Sequence, residues 1–190
     1  MKQPRVSNRY AKSVLALAAE RNELAAVRED LLLVGNSIRQ SRELSNALSS
    51  PIIKSDAKMR ALRSIFAGKV GELTSQFMEI LVRKGRESLL QEVCEAFEAQ
   101  YKALKNITTV EVTTAIVPGD QLRVHIESFV GRMKSALGIT GEIDLIEKVK
   151  PTIMGGFIVQ AGDLQIDQSV SRQFDDLRIE FSKNPYISEL

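Results

Sequence analysis

The chain has 190 residues, of which 44% are hydrophobic and 26% are charged, as in ordinary globular domains. These proportions exclude a disordered tail, a collagen-like repeat and a disulfide scaffold. At roughly 150 residues per domain, the length allows one domain or two small ones. The longest nearly apolar segments, Val14–Ala19 and Ile153–Val159, are far shorter than the ~18 residues that span a bilayer. We expect a soluble intracellular protein.

Charge and residue type both change near Lys105–Asn106. Residues 1–105 carry 18 Lys and Arg against 12 Asp and Glu, a net +6, whereas residues 106–190 carry 8 against 12, a net −4. The first segment is rich in Ala, Leu, Glu and Arg, which lose little side-chain freedom in a helix. After the change, Ile107–Ile116 alternates β-branched residues with a period of two. We expect two domains, 1–105 and 106–190.

The first domain is predicted to be all-α. Helix one covers about residues 7–20, and helix two carries one apolar stripe at alternating spacings of three and four. Ser49–Pro51 breaks the chain after a short third helix, and Ser55 is a good N-cap for the fourth. Gly85 is expected to end helix five. With helix six after it, the pattern predicts a compact antiparallel six-helix bundle.

The second domain mixes strands and helices and is predicted to be a small α+β domain. Its predicted strands are 107–116, 142–149, 156–161 and 165–167, with a Gly162-Asp163 turn between the last two. One helix follows Asp120 and is predicted to end at Gly138. A last helix is capped by Ser169 and is predicted to end at Asn184-Pro185. Its apolar face consists of Val170, Phe174, Leu177 and Phe181.

Residues that carry catalysis are nearly absent. His125 is the sole histidine and accompanies no Cys or Ser motif, which favours a surface or half-packed histidine over a catalytic one. Cys94 shares a helical face with Leu90 and Phe97, where it is predicted to be a small core residue. One Cys and one His cannot build a structural zinc site, which needs four ligands. We expect no catalytic residue, metal or cofactor.

Two other features suggest ligand sites and are better explained otherwise. Gly155-Gly156 with Gly162 fits neither G-x-G-x-x-G nor the Walker pattern and precedes a strand, so a tight turn into a hairpin is the favoured interpretation. Four carboxylates lack the glycine and terminal glutamate of a calcium loop and are interpreted as solvated charge: Asp163, Asp167, Asp175 and Asp176. The basic first domain interleaves its charges with acids and would bind nucleic acid weakly at most.

Helices one and five carry more apolar surface than a single buried stripe requires. Helix one has two apolar faces, Tyr10/Ser13/Val14/Leu17 and Ala11/Leu15/Ala18. Helix five has Leu73, Phe77, Ile80 and Leu81 on one side and Met78 and Val82 on the other. A helix that is apolar all round is wholly buried or meets a partner. Two interpretations stay open: both helices are central in the bundle, or they form a groove for an amphipathic helix of another protein.

Five segments carry a resemblance to one known family. They are Arg9-Tyr10-Ala11; Pro51-Ile52 with Lys58; Phe77-x-x-x-Leu81-x-x-x-x-Arg86; Pro151-Thr-Ile-Met-Gly155-Gly156-Phe-Ile-Val159; and Gly162-Asp163-x-x-Ile166-Asp167-x-Ser169. In these segments the chain resembles the delta subunit of F-type ATP synthase, whose mitochondrial relative is the oligomycin sensitivity conferral protein. Two turn positions depart from the family pattern: Lys150 replaces the usual acid and Gln168 the usual glycine.

The resemblance implies a non-catalytic stator subunit, peripheral on the cytoplasmic face of the inner (plasma) membrane. The six-helix domain would bind the catalytic head, with helices one and five receiving the N-terminal helix of an alpha subunit. The smaller domain would bind the C-terminal ends of the b subunits. The complex makes ATP from a proton or sodium gradient, and this chain would keep the head from turning with the rotor. The alternatives are an unrelated helix-binding adaptor and, third, a nucleic-acid module.

The partner-binding residues are predicted to lie on helices one and five. They are Tyr10, Ser13, Val14, Leu17, Phe77 and Ile80. The hydroxyls of Tyr10 and Ser13 are awkward in a sealed core and acceptable at an interface. The small side chains of the other face of helix one suit close packing inside the bundle. Periodicity alone leaves open which face of helix one is core.

Overall fold

A computed structural model of the chain describes residues 4–134 and 141–182. The chain divides into two compact units, Met1–Leu104 and Lys105–Leu190. Helices dominate the first unit, and the second contains a four-stranded sheet with helices, so the predicted α+β class is confirmed. The predicted helix ends at Gly138 and Asn184-Pro185 lie outside the described residues.

In the part of the first unit that the structure describes, the chain forms six α-helices. They are α1 (Pro4–Glu20), α2 (Leu24–Gln40), α3 (Arg42–Ser49), α4 (Ser55–Phe66), α5 (Glu72–Arg83) and α6 (Leu90–Leu104). Helix α1 begins earlier than predicted, because a proline is well tolerated in the first turn, where its missing N–H would have no partner. The apolar stripe of α2 is buried as predicted, through Val27, Leu31, Val34 and Ile38.

Helix α6 packs chiefly against α1 and α2. The backbone of α2 approaches it closely, since a Cβ added at Gly35 would come within 3.2 Å of the Cβ of Cys94. Cys94 is buried, which confirms the predicted core role. Burial raises the pKa of its thiol to about 12, so the side chain stays neutral and behaves as an apolar group.

A side chain from another helix caps the N-terminus of α5. Gly71 precedes α5 and has no side chain with which to cap it. Asp30 of α2 supplies the carboxylate: its Oδ2 accepts hydrogen bonds from the Gly71 N–H at 2.7 Å and from Thr74 Oγ1 at 2.8 Å. A negative charge at a helix N-terminus partners free N–H groups and complements the helix dipole. This contact therefore fixes α5 against α2.

A buried ion pair joins three other segments. Lys58 of α4 is 5% exposed, and its Nζ donates hydrogen bonds to the carbonyl of Leu48 at 2.8 Å and to Oε1 of Glu87 at 2.7 Å. Leu48 lies in the last turn of α3, and Glu87 opens the 3₁₀ turn that leads into α6. The pair therefore holds together the helix ends around the loop that contains Pro51.

The second unit is built on one mixed sheet. Its elements are β1 (Thr108–Thr114), α7 (Asp120–Met133), β2 (Ile143–Val149), β3 (Gly156–Ala161), β4 (Leu164–Ser169) and α8 (Val170–Ser182). The strand order is β2-β1-β3-β4. Strands β1 and β2 are parallel, because α7 carries the chain across between them, and β3 pairs antiparallel with both neighbours. The core lies between the sheet and α7.

The glycines at the two ends of β3 serve backbone geometry. Gly156 has φ +74°, and a Cβ placed there would lie 2.2 Å from the carbonyl oxygen of Gln168. Gly162, at the β3–β4 turn, has φ +58°. The predicted tight turn and hairpin are therefore confirmed. Gln168 is not among the residues with positive φ, so this position does not need the glycine usual in the family.

Candidate partner-binding surfaces

The structure settles which side of α1 faces the core of its own unit. The buried residues of α1 are Ser7, Ala11, Val14 and Ala18, whose spacings of four, three and four form one helical stripe. Val14 is 4% exposed and belongs to this stripe, which corrects its predicted place on the outer face. The prediction that Ala11 and Ala18 are core residues is confirmed, and Leu15 is half-buried.

Three of the predicted residues of α1 lie on its outer side. Leu17 is 41% exposed, Ser13 is exposed and Tyr10 is half-buried. The hydroxyl of Ser13 donates a hydrogen bond to the carbonyl of Arg9 at 3.0 Å. Since Arg9 is one turn earlier in the same helix, Ser13 takes no part in fixing α1 to the bundle. This side of α1 thus exposes Ser13 and Leu17.

Helix α5 is covered over much of its circumference. Six of its side chains are buried: Leu73, Thr74, Phe77, Met78, Leu81 and Val82. Phe77 is therefore a core residue of the free chain, in contrast to its predicted partner role, because apolar neighbours lie on both sides of the helix. Ile80 remains 49% exposed and is the apolar residue that α5 presents outward.

Tyr10 connects α1 with α5. Its ring centroid lies 6.4 Å from that of Phe77, with the two rings inclined at 57°. The guanidinium of Arg86 lies over the Tyr10 ring at 5.5 Å, and its Nη1 donates a hydrogen bond to the tyrosine hydroxyl at 3.1 Å. A cation over an aromatic face is attracted by the ring. Arg86 therefore orients Tyr10, a role that no periodicity indicated.

The last helix of the second unit presents a second apolar surface. Within the described residues, α8 has no buried side chain. Phe174 is 60%, Leu177 47% and Phe181 83% exposed. With the half-buried Val170 they follow spacings of four, three and four, so one unbroken stripe runs along the helix. We call these four residues the α8 stripe.

Met154 adds to the apolar surface of the second unit. It is 72% exposed and has φ +63°, a conformation that costs free energy for a residue with a Cβ. The residue after Met154 is Gly155, and the start of α8 lies close to it in space. The Val170 N–H donates a hydrogen bond to the Gly155 carbonyl at 3.0 Å. The turn therefore holds an exposed methionine beside the first residue of the α8 stripe.

A family model described as the ATP synthase delta (OSCP) subunit matches residues 6–181 of the chain. The ATP synthase subunit delta of Christiangramia forsetii is 34% identical over 190 residues, which is the whole of both chains. The chain belongs to the ATP synthase delta (OSCP) subunit family. The delta subunit of Cytophaga hutchinsonii is 32% identical over 183 residues, covering 96% of this chain and 97% of its own.

The fold is also that of one chain in a solved ATP synthase assembly. One chain of the Toxoplasma gondii mitochondrial ATP synthase hexamer superposes with a TM-score of 0.66 at 24% identity, covering 93% of this chain and 97% of its own. As a member of the delta family, the chain is a non-catalytic subunit with a stator role in the peripheral stalk. The resemblance expected from the five sequence segments is confirmed.

Two further features of the sequence concern catalysis and metal binding: the histidine and the acidic side chains. His125 is exposed on α7, and its ring lies edge-on to Phe157 at 6.1 Å, which agrees with the predicted surface or half-packed histidine. Among residues 4–134 and 141–182, no group of three or more His, Cys, Asp and Glu is placed to hold a metal ion. In the same ranges, no helix has the length and apolar character that crossing a bilayer requires.

Proposed function

We propose that this delta-family subunit joins two specific partners in the stator. Its six-helix bundle binds the N-terminal helix of an alpha subunit, and its small α+β domain binds the C-terminal ends of the b subunits. The subunit then lies on the cytoplasmic face of the inner (plasma) membrane, held there by the complex. Two binding surfaces on one chain provide a mechanical link that resists the torque of the rotor on the head.

The first half of the proposal, binding of the alpha subunit, rests on the side chains at the outer side of α1 and α5. Tyr10, held by Arg86 against Phe77, connects the two helices. Leu17 and Ile80 remain about half exposed and offer aliphatic surface to an incoming helix. Val14 and Phe77 support this surface from below and contact no partner themselves.

The energetics of such a contact fit a stable link. Each aliphatic side chain that becomes fully buried contributes about 1.5–3 kcal/mol. Ordering of the incoming helix and loss of translational freedom offset much of that gain. We therefore expect a dissociation constant in the nanomolar range, which corresponds to a net binding free energy near −12 kcal/mol.

The α8 stripe supports the second half of the proposal, which is binding of the b subunits. An amphipathic helix in a soluble protein normally buries its apolar face, whereas α8 has no fully buried side chain among its described residues and leaves Phe174, Leu177 and Phe181 exposed. The strained turn at Met154 adds an exposed apolar side chain beside its first residue. A helical C-terminal segment of a b subunit with its own apolar stripe would cover this face.

Substitutions on the outer side test the alpha-subunit contact. Ser13→Asp and Ile80→Glu place a carboxylate in the interface, where an unpaired desolvated charge costs several kcal/mol. We expect at least tenfold weaker binding of an alpha N-terminal peptide in calorimetric titration, with little change in thermal stability. If either substitution unfolds the unit, its side chain belongs to the core and the assignment is wrong.

The chain offers matched controls on α2. Ser37 donates a hydrogen bond to the carbonyl of Leu33 one turn earlier at 2.8 Å, as Ser13 does to Arg9, and Leu33 is 41% exposed. Ser37→Asp and Leu33→Glu therefore repeat the same chemical changes on another helix and should leave peptide affinity unchanged. An equal loss of affinity in these controls would show that charge, and not position, weakens binding.

The b-subunit contact has a separate test. Phe174→Glu should weaken binding of a b C-terminal fragment at least tenfold and leave the alpha peptide unaffected. The control is Val124→Glu, which alters a residue of α7 that is 65% exposed. Unchanged binding of the b fragment to Phe174→Glu would remove α8 from the proposal.

A further inference from the structure

A cavity of about 240 Å³ lies between α4 and α5. Most of its lining is apolar and comes from Met59, Leu62 and Phe66 on α4 and from Met78 and Val82 on α5. Val82 and Ile80 are two positions apart in α5, and their side chains therefore point roughly 200° apart around the helix. The cavity thus lies on a different flank of α5 from the surface proposed for the alpha subunit.

The size of the cavity limits what it accepts. An apolar protein cavity of about 150 Å³ takes up benzene, so the space here fits about ten heavy atoms by the same proportion. One short hydrocarbon chain fits, and the two acyl chains of a phospholipid do not. Met59 and Met78 lie on opposite walls, and flexible thioether side chains adapt readily to the shape of an apolar guest.

The mouth of the cavity carries an excess of positive charge. Nε of Arg63 donates a hydrogen bond to Oε1 of Glu79 at 2.9 Å, and Arg83 lies 3.8 Å from the other oxygen of the same carboxylate. Arg63 also donates to the same oxygen through Nη2, so two guanidinium groups share one carboxylate and the three side chains together carry a net charge of +1.

A third cationic group, Arg60, extends this region. Arg60 precedes Arg63 by three positions, which puts both on the same side of α4. Both line an open cleft, together with Asp56 and Met59, that shares Met59 and Arg63 with the cavity. Asp56 lies one turn before Arg60, so the cleft and its surroundings hold three arginines, Arg60, Arg63 and Arg83, against the two carboxylates of Asp56 and Glu79. Guanidinium groups bind carboxylates strongly through parallel hydrogen bonds.

We propose that the space between α4 and α5 binds a single-chain anionic amphiphile of the medium-chain carboxylate class. Its hydrocarbon chain occupies the apolar cavity, and its carboxylate lies in the adjoining cleft, where Arg60 and Arg63 donate to it. The site is independent of the two protein-binding surfaces of the stator.

Methionine methyl resonances of the full-length chain provide the first test, with decanoate as the probe below its micelle concentration. We expect saturable shifts at Met59 and Met78 and none at Met154, which lies in the other unit. Decanol has the same chain with a neutral head and should bind at least tenfold more weakly. No shift at Met59 and Met78 would overturn the site, and equal affinity for the two probes would overturn the anionic head.

Paired substitutions locate the site independently. Ser75→Leu adds a side chain that fills the cavity from α5, and Ser64→Leu makes the same change at an exposed position of α4. We expect Ser75→Leu to weaken decanoate binding at least tenfold at unchanged melting temperature, and Ser64→Leu to bind as the unmodified chain does. Equal binding to both variants would contradict the proposal.

The head group has its own pair of variants. Arg60→Gln should weaken decanoate binding at least fivefold and leave decanol binding unchanged, whereas Arg42→Gln, at an exposed position of α3, should change neither. Vesicles of two-chain phosphatidylglycerol should not shift the methyl resonances of Met59 and Met78. A shift with vesicles, or equal binding of decanoate to Arg60→Gln, would overturn the proposed ligand class.

Discussion

Helices α5 and α8 have nearly the same length, 12 and 13 residues, yet α5 buries six side chains and α8 buries none among the residues described. Both are amphipathic in sequence. The difference is in their neighbours: α4 and Tyr10 cover α5 on two flanks, whereas Phe174, Leu177 and Phe181 of the α8 stripe are exposed and its first residue, Val170, is half-buried. Periodicity therefore shows that a face needs covering, and only the fold shows whether the chain covers it.

The larger exposed apolar surface lies in a different region from the one that the sequence pattern indicated. The sequence placed it on helices one and five, where the fold leaves chiefly Leu17 and Ile80 outside. The larger uncovered face is that of α8, in the second unit. The helical unit thus buries most of the apolar surface of α5, whereas α8 leaves most of its apolar stripe exposed.

The largest expected effect on stability is the contrast between a charge placed on α5 and the same charge placed on α8. Leu81 of α5 is fully buried, and Leu177 of α8 is 47% exposed. Leu81→Asp should lower the free energy of unfolding by about 4–5 kcal/mol or more, since an unpaired carboxylate would be buried. Leu177→Asp should change it by less than about 0.5 kcal/mol. Chemical denaturation followed by circular dichroism measures both, and similar losses would contradict the contrast between the helices.

A smaller loss is expected at the buried ion pair of the helical unit. Lys58→Ala leaves the Glu87 carboxylate buried without its cation and should cost about 3–5 kcal/mol. Replacing both residues by apolar ones, as in Lys58→Met with Glu87→Leu, should restore most of this stability. Denaturant titrations of the three proteins give the comparison. A double variant as unstable as Lys58→Ala would show that the pair itself, and not the orphaned charge, stabilises the unit.

The Asp30 cap of α5 should contribute less to the stability than the buried ion pair does. Asp30→Ala removes the acceptor of the Gly71 N–H and Thr74 hydroxyl and should cost about 1–2 kcal/mol, as loss of a helix cap does. Glu29→Ala, at an exposed neighbouring position, is the control and should be nearly neutral. Thermal unfolding monitored at 222 nm compares the two. An equal shift in both variants would mean that the cap contributes nothing specific.

Sequence reasoning reached the features that local spacing determines. The α2 stripe, the Gly162 turn and the core position of Cys94 all follow from patterns within one element, and the structure has them. It could not find the Asp30 cap, since that contact joins residues 41 positions apart and leaves no periodic signal. It also placed Val14 on the wrong face, because two apolar faces on one helix look alike until a neighbour such as α6 covers one of them.

The smallest expected effect concerns how well the core around Cys94 excludes water. Burial raises the pKa of this thiol from 9.0 to about 12, so the folded state keeps a proton that the unfolded chain loses. The stabilisation is complete below pH 9 and is lost as the pH rises towards 12, by at most about 1.4 kcal/mol per pH unit. Between pH 9 and 10, the unfolding free energy should therefore fall by about 1 kcal/mol more in the unmodified chain than in Cys94→Ala, in which other titrating groups are unchanged. Parallel slopes for the two proteins, or rapid reaction of the folded thiol with a disulfide reagent at pH 8, would mean that water reaches Cys94 and that the helical unit is less tightly closed than its contacts indicate.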